Sequence, residues 1–354
     1  MPTTSLTVDN ELLSATSIEA ASEARDLRHI VTPFLAEHAR VHGEGQPSKG
    51  SGHKWIGAFS TGDHSSPTKR QTGYEQMNLS FSGVLTPMVL TPAEVSYPIG
   101  ISAVEEDLNG GDLQTIELAS RRAKTVMNKA KRDFEQHMLF GNVSQYEDWY
   151  SLNGEEEGDG FLEALAPGTQ NNIIGGFSKG THLALPGANN QFFDVGSSFN
   201  TSGLTGIYRT LIKAKARAVD DLAGLTIFMS ERCMENYKRT LQANERYMVM
   251  DGDDRIDGAN MNLMVSGLPA HVSTHLGQAT TVSAGSITTS MLMVDLNAIY
   301  VCWSKVIRDG YFSMSDFANI GNGYNVRVAE VLVRGQLWAE SFASSAFIAN
   351  AETF

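Results

Sequence analysis

The sequence predicts an α+β protein in which one long helix lies on a long-stranded sheet, a second α/β unit sits beside it, and two extended appendages leave the body. Three observations carry this. Ile116, Ala119, Ala123, Met127, Ala130, Phe134 and Met138 recur at steps of three and four between Asp112 and Phe140, the period of an amphipathic helix. Ala329, Val331, Val333, Gly335, Leu337 and Ala339 alternate with Glu330, Arg334, Gln336 and Glu340, the period of a half-buried strand. Residues 44–78 are dense in Gly and Ser and hold few large apolar side chains beyond Trp55, Ile56, Phe59, Tyr74 and Met77, so they cannot form a core of their own.

In chain order, Glu11 to His42 reads as a thinly amphipathic helical arm, with Leu12, Leu13, Ile18, Leu27, Ile30, Val31, Phe34 and Leu35 scattered among polar residues. The Gly-rich excursion follows and returns through a strand-like stretch from Leu79 to Ser102, giving a two-stranded ribbon that needs a surface to lie on. The helix 112–140 comes next, ended by Gly141-Asn142; at about 1.5 Å per residue it is a rod of roughly 43 Å. Its apolar stripe lies opposite Arg121, Arg122, Lys124, Lys129, Lys131 and Arg132, which predicts a basic face. Residues 142–200 read as loops and short strands around the acidic run Glu155-Glu156-Glu157-Gly158-Asp159. A helix is expected from Ser202 to Ala223 with Gly224 as its stop, then a strand Leu225–Met229, then a helix from Glu231 to about Asn244 capped by Ser230. Strands follow at Val265–Val272, Met291–Leu296 and Ala298–Trp303, and Val326–Glu340 forms a closing strand of roughly 50 Å.

Length and charge bound the function. At 354 residues the chain exceeds one ordinary domain, taken as roughly 150 residues. With 27 basic and 40 acidic side chains the net charge is 27 − 40 = −13, so contact with DNA must use a local basic face against the average field. The two cysteines, Cys233 and Cys302, make no disulfide framework or zinc motif, and a reducing compartment is expected. The N-terminus has neither a basic start nor an apolar stretch, and no run approaches 18 apolar residues; the expectation is a soluble, cytosolically made protein that uses no membrane.

The motifs that could carry chemistry are incomplete. Gly176-Phe177-Ser178-Lys179-Gly180 matches a nucleophile elbow, but only Ile173-Ile174 precede it and Pro186-Gly187 follow where a helix should start, so an ordinary Gly-rich turn is expected and a serine hydrolase is the remote alternative. His38 with His42, and His271 with His275, have ligand spacing without a third ligand. Asp251-Gly252-Asp253-Asp254-Arg255-Ile256-Asp257 places Arg255 where a calcium loop needs an oxygen. Gly45 to Gly50 has the spacing of a phosphate loop but is followed by Ser51-Gly52. No catalytic residue, metal or cofactor is expected, which argues against an enzyme.

The order of parts, with Tyr97-Pro98-Ile99-Gly100-Ile101-Ser102 leading into a helix that ends Phe140-Gly141-Asn142, then Leu225-Thr226-Ile227-Phe228-Met229-Ser230 and a long closing strand, resembles the major capsid protein of tailed bacteriophages. The resemblance covers essentially the whole chain as a series of elements. It implies an N-terminal arm (1–50), an extended hairpin loop over a neighbouring subunit (51–100), a peripheral domain on the spine helix and long strand (101–200 and 305–354), and an axial domain (201–304). It also implies a shell subunit that assembles as hexamers and pentamers into an icosahedral virion capsid in the bacterial cytoplasm, enclosing double-stranded DNA, with scaffold and portal partners and in some members a decoration protein. Under it the six basic residues above would face DNA, and Trp55, Phe59, Lys69, Arg70 and Tyr74 would make inter-subunit loop contacts. Some relatives crosslink a loop Lys to a C-terminal Asn; Lys54 or Lys69 and Asn350 are available, with no motif that fixes the pair. A cellular nanocompartment shell of the same fold is the near alternative.

Overall fold

A computed structural model of the chain describes residues 32–42, 46–47, 55–60, 85–90, 93–108, 118–140, 173–174, 177–178, 190–196, 199, 201–218, 224–240, 263–277, 279–282, 285–303, 312–321, 324–339 and 341–352. In chain order the elements are α1 (Pro33–His42), β1 (Gln46–Pro47), β2 (Trp55–Ser60), β3 (Leu85–Leu90), β4 (Ala93–Ser102), α2 (Ala103–Leu108), α3 (Leu118–Phe140), β5 (Ile173–Ile174), β6 (Phe177–Ser178), β7 (Gln191–Asp194), α4 (Thr201–Lys215), β8 (Leu225–Met229), α5 (Glu231–Thr240), β9 (Leu263–Val265), β10 (Leu268–Val272), β11 (Ala279–Val282), β12 (Gly285–Asp295), β13 (Ile299–Trp303), β14 (Phe312–Met314), β15 (Ala318–Gly321), β16 (Tyr324–Ala339) and β17 (Ala346–Ala349).

Two sheets organise the described residues. A six-stranded sheet is built around the 16-residue β16, which pairs with β4 along one side, with β14 and β15 along the other, and with β13 near its end, β1 joining at β13. A seven-stranded sheet runs β7-β17-β12-β8-β10-β9, with β11 on β12. Alternation decides which core each strand feeds. In β12, Leu292 and Val294 enter a core shared with α1, α3 and the six-stranded sheet. Met291 and Met293 enter a second core under α4 and α5. All five residues of β8 are buried, Phe228 in the first core and Leu225, Ile227 and Met229 in the second. This sheet is covered on both faces, which is why its strands read as apolar runs rather than as alternation.

The long strand and long helix of the sequence are both present. Residues 112–117 lie outside the described residues, and the 23 residues of α3 span about 34 Å. Ala130, Phe134 and Met138 are buried, and Ala123 and Met127 pack at the edge of the same core. Strand β13 belongs to the six-stranded sheet, and β7 and β17 to the seven-stranded one, because β17 pairs with β12 and β7 adds in parallel to β17. Three expectations need correction. The return strand of the ribbon is split; β3 pairs with β2, while β4 pairs over ten positions with β16. Val265–Val272 is a hairpin, because Ser266 (φ 56°) and Gly267 (φ 77°) form a two-residue turn. Gly224 does not stop α4, which ends at Lys215; a Cβ on Gly224 would come within 2.5 Å of Asn297, and that close approach is what requires glycine.

The described part of the arm is also not an appendage. Phe34, Leu35 and His38 are buried, with the Phe34 ring 5.4 Å from Phe228, so α1 is a piece of the body's own core. By contrast, β2 and β3 form a two-stranded sheet that pairs with no third strand among the described residues. Phe34→Ala should therefore destabilise the folded chain by about 3 kcal/mol in chemical denaturation, as a buried Phe does; a change near zero would mean that α1 is an accessory segment.

Candidate nucleic-acid and subunit interfaces

The six basic residues expected to share one face of α3 do not share one environment. Arg122 turns inward: it donates to both carboxylate oxygens of Glu105, at 3.0 and 2.9 Å, and to the Gly100 carbonyl at 2.9 Å. Its hydrogen bonds hold the Glu105 carboxyl below its ordinary pKa, with burial opposing. Arg132 lies 3.7 Å from Asp133, and the Lys129 ammonium sits 5.8 Å from the centre of the Tyr97 ring. Lys124 and Lys131 are exposed and have no ion pair among the described residues. At about 100° per residue, Lys129 lies about 140–160° around the helix from that pair. The reason is tertiary: α3 packs against the six-stranded sheet and also against α1, so its charges emerge on two separated sides.

Titratable groups concentrate where α1 meets the body. Glu135 of α3 accepts a hydrogen bond from the Leu35 amide (3.1 Å), capping the first turn of α1 from another helix. Its carboxyl is fully buried, and burial pushes its pKa up to about 8 against the opposing backbone hydrogen bonds. Burial, with the nearby His42, pushes His38 down to about 4. The two rings stand 5.0 Å apart, and His42 Nε2 meets the Leu296 carbonyl. His271 Nε2 is 3.4 Å from Glu37, and burial lowers the pKa of His275, assisted by Arg132 and opposed by Asp133. Among the described residues no cluster of three or more His, Cys, Asp or Glu suited to a metal gathers at either histidine pair.

The remaining candidates separate in the same way. Ser178 ends a two-residue strand opposite Ile173, and the segment that follows it lies outside the described residues. Asn350 is held at both ends of its amide, donating to Asp194 (2.9 Å) and accepting from the Thr288 amide (3.0 Å) in a left-handed conformation. Cys233 is buried, and its amide donates to Ser230 Oγ (3.1 Å), the N-cap expected for α5. Trp55 and Phe59 lie on β2, paired to Leu90 and Thr86; Lys54, Lys69, Arg70, Tyr74 and 251–257 lie outside the described residues.

One basic surface escaped sequence reasoning. Arg209, Lys213 and Arg217 are exposed at four-residue steps along α4 and just beyond it. The signal was available, because no acidic residue occurs from Thr201 to Ala218. Among the described residues no helix is long and apolar enough to cross a membrane.

No protein-family model and no curated protein matches the chain. Solved structures do. The capsid of the native GTA particle matches with a TM-score of 0.58 at 10% identity, covering 94% of this chain and 95% of that one. The cyanophage A-1(L) capsid matches at 0.60 and 13% identity, covering 96% and 99%. The holo-SrpI encapsulin complex from Synechococcus elongatus PCC 7942 matches at 0.55 and 10% identity, covering 95% and 94%. The chain has the α+β fold of tailed-phage major capsid proteins over nearly its whole length.

The pH dependence of stability should report Glu135. An acid raised from 4.5 to about 8 on folding contributes its stabilisation fully below pH 4.5 and loses it by about pH 8. A histidine lowered from 6.5 to about 4 costs stability as pH falls from 6.5. The two slopes oppose each other between 4.5 and 6.5, leaving Glu135 alone above 6.5. From pH 6.5 to 8 the chain should lose about 2 kcal/mol, at about 1.4 kcal/mol per pKa unit, and Glu135→Gln should abolish that loss in denaturation curves.

Proposed function

We propose that the protein is a major capsid protein, a structural subunit that self-assembles as hexamers and pentamers into an icosahedral shell around double-stranded DNA and performs no turnover. The observation that carries this reading is the shared fold, matched end to end with chains whose structures are capsids. The β2–β3 ribbon supports it: a two-stranded sheet alone is marginal in water, and a neighbouring subunit would supply the surface it lacks. In this reading the unit around β16 and α3 is peripheral in the capsomer, and the unit under α4 and α5 is axial. The ribbon, with Trp55 and Phe59 on β2 and with Lys69, Arg70 and Tyr74 between β2 and β3 in the sequence, reaches the next subunit. Assembly takes place in the bacterial cytoplasm with scaffold and portal proteins, and the product is the virion capsid.

A nanocompartment shell is the second reading, favoured by the match to the encapsulin complex. The two differ in contents. Electron microscopy of the expressed protein, alone and with its neighbouring assembly genes, should show closed shells, and nuclease-protected double-stranded DNA should copurify with particles filled in the host. Monomers at high concentration under every condition would overturn both readings; shells that protect protein cargo and no DNA would select the second.

The structure changes which residues should be tested for DNA contact. Arg122 belongs to an internal ion pair, so its loss should damage folding rather than packaging. Lys124→Gln with Lys131→Gln, and separately Arg209→Gln, Lys213→Gln and Arg217→Gln, should leave the fold intact. At least one set should lower DNA retention and flatten its salt dependence by about one unit of slope per contact removed. Unchanged retention in both sets would remove these surfaces from the DNA-facing side.

A further inference from the structure

The outer edge of β4 is closed at one end and open at the other. In an antiparallel ladder, successive residues turn their backbone groups alternately toward and away from the partner strand. Pro98 has no N–H to give and stands opposite Glu330 of β16. Glu330 turns its own backbone the other way, donating to Ser315 Oγ and accepting from the Ser315 amide, both at 2.9 Å. Pro98 therefore faces outward, as do Ser96, Gly100 and Ser102, which share its parity. The last two are sealed: Arg122 donates to the Gly100 carbonyl, and the Ser102 amide donates to Glu105 at 2.9 Å. The Pro98 carbonyl and the backbone of Ser96 have no hydrogen bond on that side among the described residues.

A groove of about 240 Å³ lies beside this open half, between β4 and α3, with Arg121, Thr125 and Val126 on the helix wall and Pro98 on the strand. Arg121 is half-buried there and has no ion pair or hydrogen bond among the described residues. The groove thus offers a backbone acceptor, an apolar floor and one unneutralised guanidinium within a chain of net charge −13.

We propose that this groove binds an extended acidic segment of a second copy of the chain, which gives an N–H to the Pro98 carbonyl and a carboxylate to Arg121. Strand addition at a sheet edge is an established mode of peptide docking, and the carboxylate adds charge-assisted recognition by arginine. A DNA sugar-phosphate backbone satisfies the guanidinium but has no donor for the carbonyl, so the pair of groups favours a peptide. The densest acidic run of the sequence, Glu155-Glu156-Glu157, is the charge complement. The site rests on the shell reading, since it needs neighbouring copies.

Arg121→Lys particles assembled from mixed ¹⁴N- and ¹⁵N-labelled chains, treated with a carbodiimide and analysed by mass spectrometry, should carry a mixed-isotope crosslink between position 121 and 155–157. Crosslinks confined to single copies, or none at 121, would overturn the proposal. Arg121→Glu should keep its thermal stability yet lower the particle yield about tenfold, the effect of removing one charged contact pair. Glu155→Lys, Glu156→Lys and Glu157→Lys together should restore that yield. Normal particle yield with reduced DNA content would overturn the proposal in favour of phosphate as occupant, and an unrescued loss would overturn it by excluding the acidic run. Failure of the unsubstituted chain to assemble would instead count against the shell reading.

Discussion

Burial of the seven-stranded sheet on both faces is the constraint from which the rest of the architecture follows. Strand β12 is its centre of gravity, sending Leu292 and Val294 one way and Met291 and Met293 the other. A strand with two apolar faces must be covered twice. The α4–α5 pair provides one cover. The other is assembled from elements distant in sequence: α1 near the start, α3, and the inner face of the β16 sheet. The two sheets consequently share one core, which welds them together.

That weld explains the treatment of charge. Packing α3 between a sheet and α1 takes several ionisable side chains of both helices out of water, and a buried charge is costly unless it is paired or neutralised. Arg122 meets Glu105, Glu135 keeps its proton and caps α1, and His38 stays neutral. A charge run that appears continuous on a helical wheel becomes two exposed lysines, one lysine over an aromatic ring and two arginines in ion pairs. The cations left over, Lys124 and Lys131, Arg121 in its groove, and the Arg209–Lys213–Arg217 line on and just beyond α4, are therefore the informative ones.

The same logic distinguishes the two appendages expected from sequence. The described part of the arm carries Phe34 and Leu35 on one side of a helix and finds a place in the core. Among the described residues the ribbon strands pair only with each other. Composition alone did not separate them, because both read as thin in large apolar residues; whether a cavity waits in the body is a property of the assembled fold.

Period and punctuation made much of the fold legible. The alternation from Val326 to Glu340 and the three-and-four steps along 112–140 identify a long strand and a long helix because side-chain direction follows backbone geometry locally. Ser230 announced the start of α5 for the same reason. Partnership was not legible. That β17 joins β12 rather than β16's sheet, that Glu135 reaches the first turn of α1 across 100 residues, and that Arg122 points at Glu105 all depend on approaches between distant segments. The amino-acid sequence by itself determined the elements, their order and a net charge that forbids indiscriminate polyanion binding. Tertiary structure decided which charges remained free to act, because whether a side chain stays in water or finds a counter-charge is set by what packs over it.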